Sequence, residues 1–575
     1  MSSKPFEIGL VGAGAISAGA YTAGVIDFLV FALDSWYEAK AADDPQAPAH
    51  DVTLKVFSGA SAGAMTAALG TAYLASDQPP IPDESAASAC RGRNKLFDSW
   101  VERIDIARLL EHRDLEAKGS RVISLLDSSV LAEIAADGLA ARPRPVKRPY
   151  LADDFDLLLT VSNLRGVPYA FQVQSNRSES FTMSLHADYV HFRVNDNGQC
   201  GQHDCYTLRW SDFGTANHPN LSKMTAAALA SGAFPVGLAP RLLEHLIPGQ
   251  GLPNVYSSRL WQVPTPDSQA PHRCTHAQAI PPHFGKLTED YRYQFQCVDG
   301  GVMNNEPLEL ARKLLSNYGT NDRHPANADR AVLLIDPFPN NEIFDPEQKP
   351  AQDLLGVLLG LFGALKNQAR FKHEELLLAA DADIYSRFMI APSREDTVVP
   401  IACGSLGGFG GFLKRDFRAH DYFLGRRNAQ QFLRRHFTLT EDNPLFANSL
   451  PQDPVDREKL IRARCIKTTS GQTIGQPELD LNGMRLLPII PLIGKADVEC
   501  RQPAWPTYTQ DDLARLERQL DSRVGLVLGK LLDQYFEGSL WRLPAKWIIG
   551  RKKSDIVDSA LQRIQGDLKR MQLMR

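Results

Sequence analysis

Residues 6–76 repeat one arrangement twice. "FEIGLVGAG" is a short apolar strand that runs into a glycine-rich turn, and "AYTAGVIDFLVFALDSW" follows with apolar residues at helical spacing. "DVTLKVFSG" is a second strand, alternating at Val52, Leu54 and Val56, and "ASAGAMTAALGTAYLAS" is a helix of small residues suited to close packing on a sheet. Strand, helix, strand, helix in that order predicts an α/β fold with a mostly parallel central sheet flanked by helices.

Further strands are expected in "FDLLLTVSNLRGVPYAFQV", read as two strands around Arg165-Gly166, in "RYQFQCV" and in "RAVLLIDPFP". Helices are expected around 96–110 and 130–139. Residues 248–282 are rich in Pro, His and Gln and read as surface loops, part of an irregular insertion over about 196–290. Beyond about Asn340 helical patterns dominate (354–380, 421–437, 511–536, 554–574). The expected organisation is a catalytic domain over 1–340 and an α-rich C-terminal extension over 341–575, packed on the core or extending it.

The chain of 575 residues carries a formal net charge of −4, which gives no support to nucleic-acid binding. Its eight scattered cysteines predict reduced thiols in a cytoplasmic protein rather than a disulfide framework. The uncharged stretch from Ile8 to Ile26 lacks the basic start and leucine-rich centre of a signal peptide, and "LLGVLLGLFGAL" (354–365) is too short to cross a bilayer. No transmembrane helix or signal peptide is expected.

The second turn contains Gly59-Ala60-Ser61-Ala62-Gly63, a G-x-S-x-G placed after a strand and before a helix. A nucleophile at such an elbow needs neighbours without bulk, and the helix N-terminus behind it favours negative charge. "GAGAISAGAYTAG" (12–24) fits neither the dinucleotide nor the P-loop pattern, since Ser17 and Ala20-Tyr21 stand where those motifs need Gly or Ala and Lys-Ser/Thr. Its backbone N–H groups can instead serve an oxyanion. Asp299-Gly300-Gly301, at the end of a third strand, leaves a carboxylate uncovered at a sharp turn.

These three ordered motifs resemble the patatin-like phospholipase family. "ALASGAFPVGLAPR" (228–241) is similar to its Ala-Ser-x-Ala-x-Pro segment, "DGGVMNNEPLELA" to its D-G-G/A-x-x-x-N-x-P segment, and "SLLDSSVL" and "DYFLGRRNAQQFLRRHF" to further elements. The resemblance implies a serine lipid acyl hydrolase with Ser61 as nucleophile, Asp299 as general base and no histidine. Burial would raise the Asp299 pKa and improve it as a base. Gly59, Gly63, Gly300 and Gly301 would be the motif glycines. The oxyanion hole would use backbone N–H groups of Gly14, Ala15 and Ile16. No metal or organic cofactor is implied, and the partner is a lipid or acyl-ester substrate with peripheral membrane contact open. The family's usual loop is G-G-G-x-R-G, whereas this chain reads Gly14-Ala15-Ile16-Ser17-Ala18-Gly19, without the arginine.

Rival readings keep the same frame. An α/β-hydrolase triad would need His324, His373, His420 or His436, of which His420 fits best. Acyl transfer or thioester cleavage would change only the acceptor or leaving group, and a non-catalytic lipid-binding scaffold would be expected to have lost a dyad member. Cys200, His203, Cys205, His272, Cys274 and His276 match no familiar structural zinc pattern. The basic run from Lys414 to Arg435 reads as a solvated helix face with headgroup contact as the alternative, and "GSLGGFGGF" (404–412) as a loop or an apolar rim.

Overall fold

The computed structural model describes residues 4–339 apart from 118, 140–143, 172–180, 201–204, 216, 250–253, 258, 265–273 and 320. Beyond these it describes 360–361, 364–365, 367–370, 384–395, 399–447, 449–457, 466–467, 473–474, 485–536 and 542–574. The expected helix over 354–380 lies almost wholly outside the described residues.

The two repeated units form as read. Strand β1 (Phe6–Gly12) leads through a turn into helix α1 (Gly19–Ala41), and β2 (Val52–Gly59) leads into α2 (Ala62–Leu74). Next come α3 (Ser129–Leu139), β3 (Leu151–Phe171), β4 (Phe181–Asn195), β5 (Tyr206–Arg209), α4 (Pro219–Ser231) and β6 (Arg241–Ile247). Then follow β7 (Tyr291–Val298), α5 (Leu308–Leu315), β8 (Arg330–Ile335), β9 (Arg387–Ile390) and α6 (Arg415–Arg435), with α7 (Gln510–Phe536) and α8 (Arg542–Arg570) at the end.

These strands make one nine-stranded sheet of order β9-β8-β1-β2-β3-β4-β5, from which β7 branches off β3 and carries β6. The β9–β8, β8–β1, β1–β2, β2–β3 and β4–β5 pairs are parallel, so the sheet is mostly parallel. Its central strands are buried on both faces, which is why Ile8 to Val11 and Ala331 to Ile335 read as continuous apolar runs rather than alternating ones.

Several elements differ from their sequence reading. Residues 151–171 form one long strand, not two, because Gly166 at φ 79° sits in a bulge between Ser162 and Val167 and not in a hairpin turn. Residues 219–247, inside the stretch read as irregular, contain α4 and β6, and a hairpin pairs Leu260–Pro264 with Cys274–Ala279. Cys200 and Cys205 are joined in a disulfide, with Cα atoms 6.0 Å apart. Both lie in the connection between the adjacent parallel strands β4 and β5.

The C-terminal part enters the core through β9 and α6. Helix α6 crosses α1 where Gly24 faces the Tyr422 carbonyl and Gly425 faces the Tyr21 carbonyl; a Cβ on either would lie 1.9 Å or 2.3 Å from those oxygens. The crossing is sealed by a buried ion pair between Asp27 and Arg426. The basic face expected on 414–435 is therefore not solvated. Arg418, Arg426 and Arg434 are buried, Arg415 pairs with Glu84 and Glu102, and Arg427 pairs with Glu395 and Glu499. One helical stretch among the described residues, 16–41, is long and apolar enough to cross a membrane, and 89% of its apolar window is buried inside this fold.

Candidate active site

The carboxyl ends of β1, β2 and β7 converge beside the middle of β3, and strand register explains why. Gly59 pairs with Leu159 on β3, and three residues further along β3 Ser162 pairs with Val298 on β7. Ser61 and Asp299, 238 positions apart, thus leave neighbouring strand ends one or two residues past the last pairing.

Ser61 caps α2 at φ 53° and ψ −125°, the tight strand-to-helix turn that pushes a side chain out of the backbone. Gly59 and Gly63 make that turn possible. A Cβ on Gly59 would meet the Gly63 carbonyl oxygen at 2.5 Å, and one on Gly63 would meet the Gly12 carbonyl oxygen at 2.1 Å. The Ala60 N–H donates to that same Gly12 carbonyl at 3.1 Å, which locks the 12–16 loop beside the elbow.

The Ser61 hydroxyl donates to Asp299 Oδ2 at 2.6 Å, and the two residues are 6% and 5% exposed. The other oxygen, Oδ1, accepts the Gly301 N–H at 2.7 Å, which orients the carboxylate. Its backbone is pinned as well: the Asp299 N–H donates to the Ala233 carbonyl, and its own carbonyl accepts from the Ser162 hydroxyl at 2.7 Å. Gly300 allows this approach, since a Cβ there would lie 2.3 Å from the Thr160 carbonyl oxygen. The Ser61 N–H is taken by the Ser231 hydroxyl at 2.8 Å.

Of the three loop residues expected as oxyanion donors, Gly14 is corrected. Its N–H donates to the Asn305 carbonyl at 3.1 Å and is not free. The N–H groups of Ala15 and Ile16, and that of Ala62 at the first position of α2, have no partner among the described residues. Asn305 is the residue the sequence reading passed over, although it is the Asn of the D-G-G-x-x-x-N-x-P pattern. It is 3% exposed, and its Oδ1 lies where a Cβ on Gly14 or Gly301 would collide with it, so it wedges the 14 loop against the Asp299 turn.

The histidine alternative has its best candidate engaged elsewhere. His420 sits on α6 with Nδ1 at 2.7 Å from Asp421 and Nε2 accepting from Arg394 at 2.7 Å. His324 caps an exposed turn at Ala326, His436 packs on Phe432, and His373 lies outside the described residues. Of the six candidate zinc ligands, Cys200 and Cys205 bond to each other, and His203 and His272 lie outside the described residues. No group of three or more His, Cys, Asp or Glu suited to a metal ion occurs among the described residues.

One turn of α2 beyond Ser61, an apolar slot opens between α2, α3, α4 and the helical turn Asp98–Arg103. Met65, Leu69, Trp100, Leu131, Ile134 and Ala228 are among its walls. The Met65 N–H donates to the Ser61 carbonyl, so this wall residue lies about 6 Å along the helix from the elbow.

The family model described as patatin-like phospholipase matches residues 10–312. A protein of Sinorhizobium fredii (strain NBRC 101917 / NGR234), y4iI, itself uncharacterized, is 34% identical over 597 aligned residues, covering 97% of this chain and 80% of its own length. The match begins in β1, runs through the Ser61 elbow and the Asp299 turn, and ends in α5. This chain belongs to the patatin-like phospholipase family, a family of lipid hydrolases.

Proposed function

We propose that the protein is a serine lipid acyl hydrolase working through a Ser61–Asp299 dyad. The observation that carries the reading is the 2.6 Å hydrogen bond from Ser61 Oγ to Asp299 Oδ2 at the N-terminus of α2. As Oγ bonds to an ester carbonyl carbon, its proton passes to Asp299. The carbonyl oxygen becomes an oxyanion and accepts from the Ala15, Ile16 and Ala62 N–H groups, which no other group among the described residues engages. Collapse breaks the carbon–oxygen bond to the alcohol, and Asp299 returns the proton to that leaving oxygen. Water then attacks the acyl-serine and gives its proton to Asp299, which returns it to Ser61 Oγ as the carbon–oxygen bond to the serine breaks and the fatty acid leaves.

The apolar slot beside the elbow supports an acyl chain as the part of the substrate that is recognised. Nearly all of its lining is carbon, so a methylene chain gains burial there and a polar group finds no partner.

Labelling with a fluorophosphonate and fatty-acid release from mixed phospholipid vesicles test the reading together. Ser61→Ala and Asp299→Asn are each expected to lower hydrolysis at least about a thousandfold, and Ser61→Ala to abolish labelling. His420→Ala is expected to stay within a few-fold of the parent. Full activity in Asp299→Asn, or a folded but dead His420→Ala, overturns the dyad.

A further inference from the structure

The loop carrying the free Ala15 and Ile16 N–H groups holds a conformation that its own sequence does not favour. Ile16 sits at φ 50°. For a β-branched side chain that is a true outlier, costing about 1–3 kcal/mol and persisting only where the surroundings enforce it. The family's loop would have glycines there and an arginine nearby, and this chain has neither. Something else must hold the loop.

The segment that does so lies beyond the family match, in the glycine-rich stretch 402–413. The Ser17 hydroxyl, fully buried, donates to the Gly408 carbonyl at 2.5 Å and accepts the Gly411 N–H at 3.0 Å. One side chain thereby satisfies two backbone groups of a segment 391 and 394 positions away. Two glycines allow the approach. A Cβ on Gly411 would lie 2.6 Å from Ser17 Oγ, and Gly408, at φ 103°, places its backbone against Ile16 Cδ1, where a Cβ would sit at 3.4 Å.

The segment is anchored from behind. Asp421 of α6 accepts the Ala402 and Cys403 N–H groups, each at 2.8 Å, and the buried Arg418 donates to the Gly411 carbonyl at 2.7 Å. The Leu406 N–H donates to Asp567 of α8 at 2.5 Å. Phe409 meets Phe234 edge to face with ring centres 5.2 Å apart. Phe234 lies on the stretch between Ser231, which accepts the Ser61 N–H, and the β6 strand.

We propose that residues 402–413 are a clamp supplied by the C-terminal region that holds the 14–17 loop in its donor-presenting conformation, with Ser17 as the positioning residue. Ser17 does not touch the reacting atoms; it acts through Ile16 and Ala15. This rests on the hydrolase reading, and the experiment separates the two. Ser17→Ala removes the donor and acceptor, and Gly408→Ala puts an unfavourable φ on alanine and presses a Cβ to 3.2 Å from the Phe338 ring beside Ile16. Both variants, with Ser61→Ala as reference, are assayed on a short-chain nitrophenyl ester, and their thermal midpoints are recorded.

A displaced donor weakens the transition state more than the bound ester. The expected result is therefore a fall in kcat of about 10- to 100-fold with KM within about twofold, while the midpoint stays above the assay temperature. Parent-like kcat in both variants, with Ser61→Ala inactive, overturns the clamp and leaves the hydrolase reading standing. So does a loss of kcat that merely follows a midpoint fallen below the assay temperature. Parent-like activity in Ser61→Ala overturns the hydrolase reading itself.

Discussion

Gly63 illustrates how little room the elbow has. Its Cα faces the Gly12 and Ala13 carbonyls, and a methyl group there would lie 2.1 Å and 2.7 Å from their oxygens. Both obstacles are backbone, so no side-chain rotation relieves the clash. Gly63→Ala must move the 12–16 loop or the start of α2, and overpacking of this kind costs about 1–3 kcal/mol. Urea unfolding is expected to give a lower midpoint at unchanged m-value, together with loss of esterase activity. A parent-like midpoint would mean the two turns are not in contact. Ser61, Asp299 and their glycines were legible in the sequence because chemistry limits which residues can stand there. The Gly14 N–H was not. Its availability depends on the Asn305 carbonyl, which reaches it from 291 positions away across two strand ends. No local pattern records such a crossing.

Among the elements, α3 controls what the slot beside Ser61 can accept. Ala135 lines the slot from α3, and Ala68 and Leu69 line it from α2. Ala135→Phe would fill the space that the outer carbons of an acyl chain would occupy, without touching the elbow. The expected outcome is a ratio of kcat/KM between dodecanoyl and butyryl esters reduced at least about tenfold, with butyryl turnover retained as the sign of an intact fold. An unchanged ratio would mean that the chain lies elsewhere. Such elements were partly legible: α1, α2 and the strands β1, β2 and β8 followed from periodicity and small-residue content. Helix α6 was legible as a helix but not in its burial. Nine of its 21 residues are Arg, Asp or His, which reads as solvated, yet Asp27, Asp105 and the Val101 carbonyl receive its buried arginines. Partners so distant in the chain leave no trace in helical spacing.

At the scale of the whole molecule, the family-matched part and the C-terminal part share buried joints, and one of them responds to acid. His50 lies between α1 and β2 and is 2% exposed, with Nε2 at 2.9 Å from the Ile489 carbonyl and its ring against Trp36 and Phe446. Burial pushes its pKa down to about 4, against the opposing pull of the Ile489 carbonyl. Burial likewise lowers His245, on β6, to about 4, although the Asp188 carboxylate nearby pulls it up. An unfolded histidine takes a proton near pH 6.5, whereas these two do so in the folded chain only near pH 4. Between those values the unfolded chain binds more protons, so stability is fully present above about pH 6.5 and falls as pH is lowered towards 4. Each group contributes up to about 3 kcal/mol to that loss. The thermal midpoint is therefore expected to drop steeply from pH 6.5 to 4. His50→Gln, which has no titrating proton, should be less stable than the parent at pH 7.5 yet show a shallower decline. An equal slope in parent and variant would show that His50 is protonated at its ordinary pKa in the folded chain, and that the joint between the two parts is open to water.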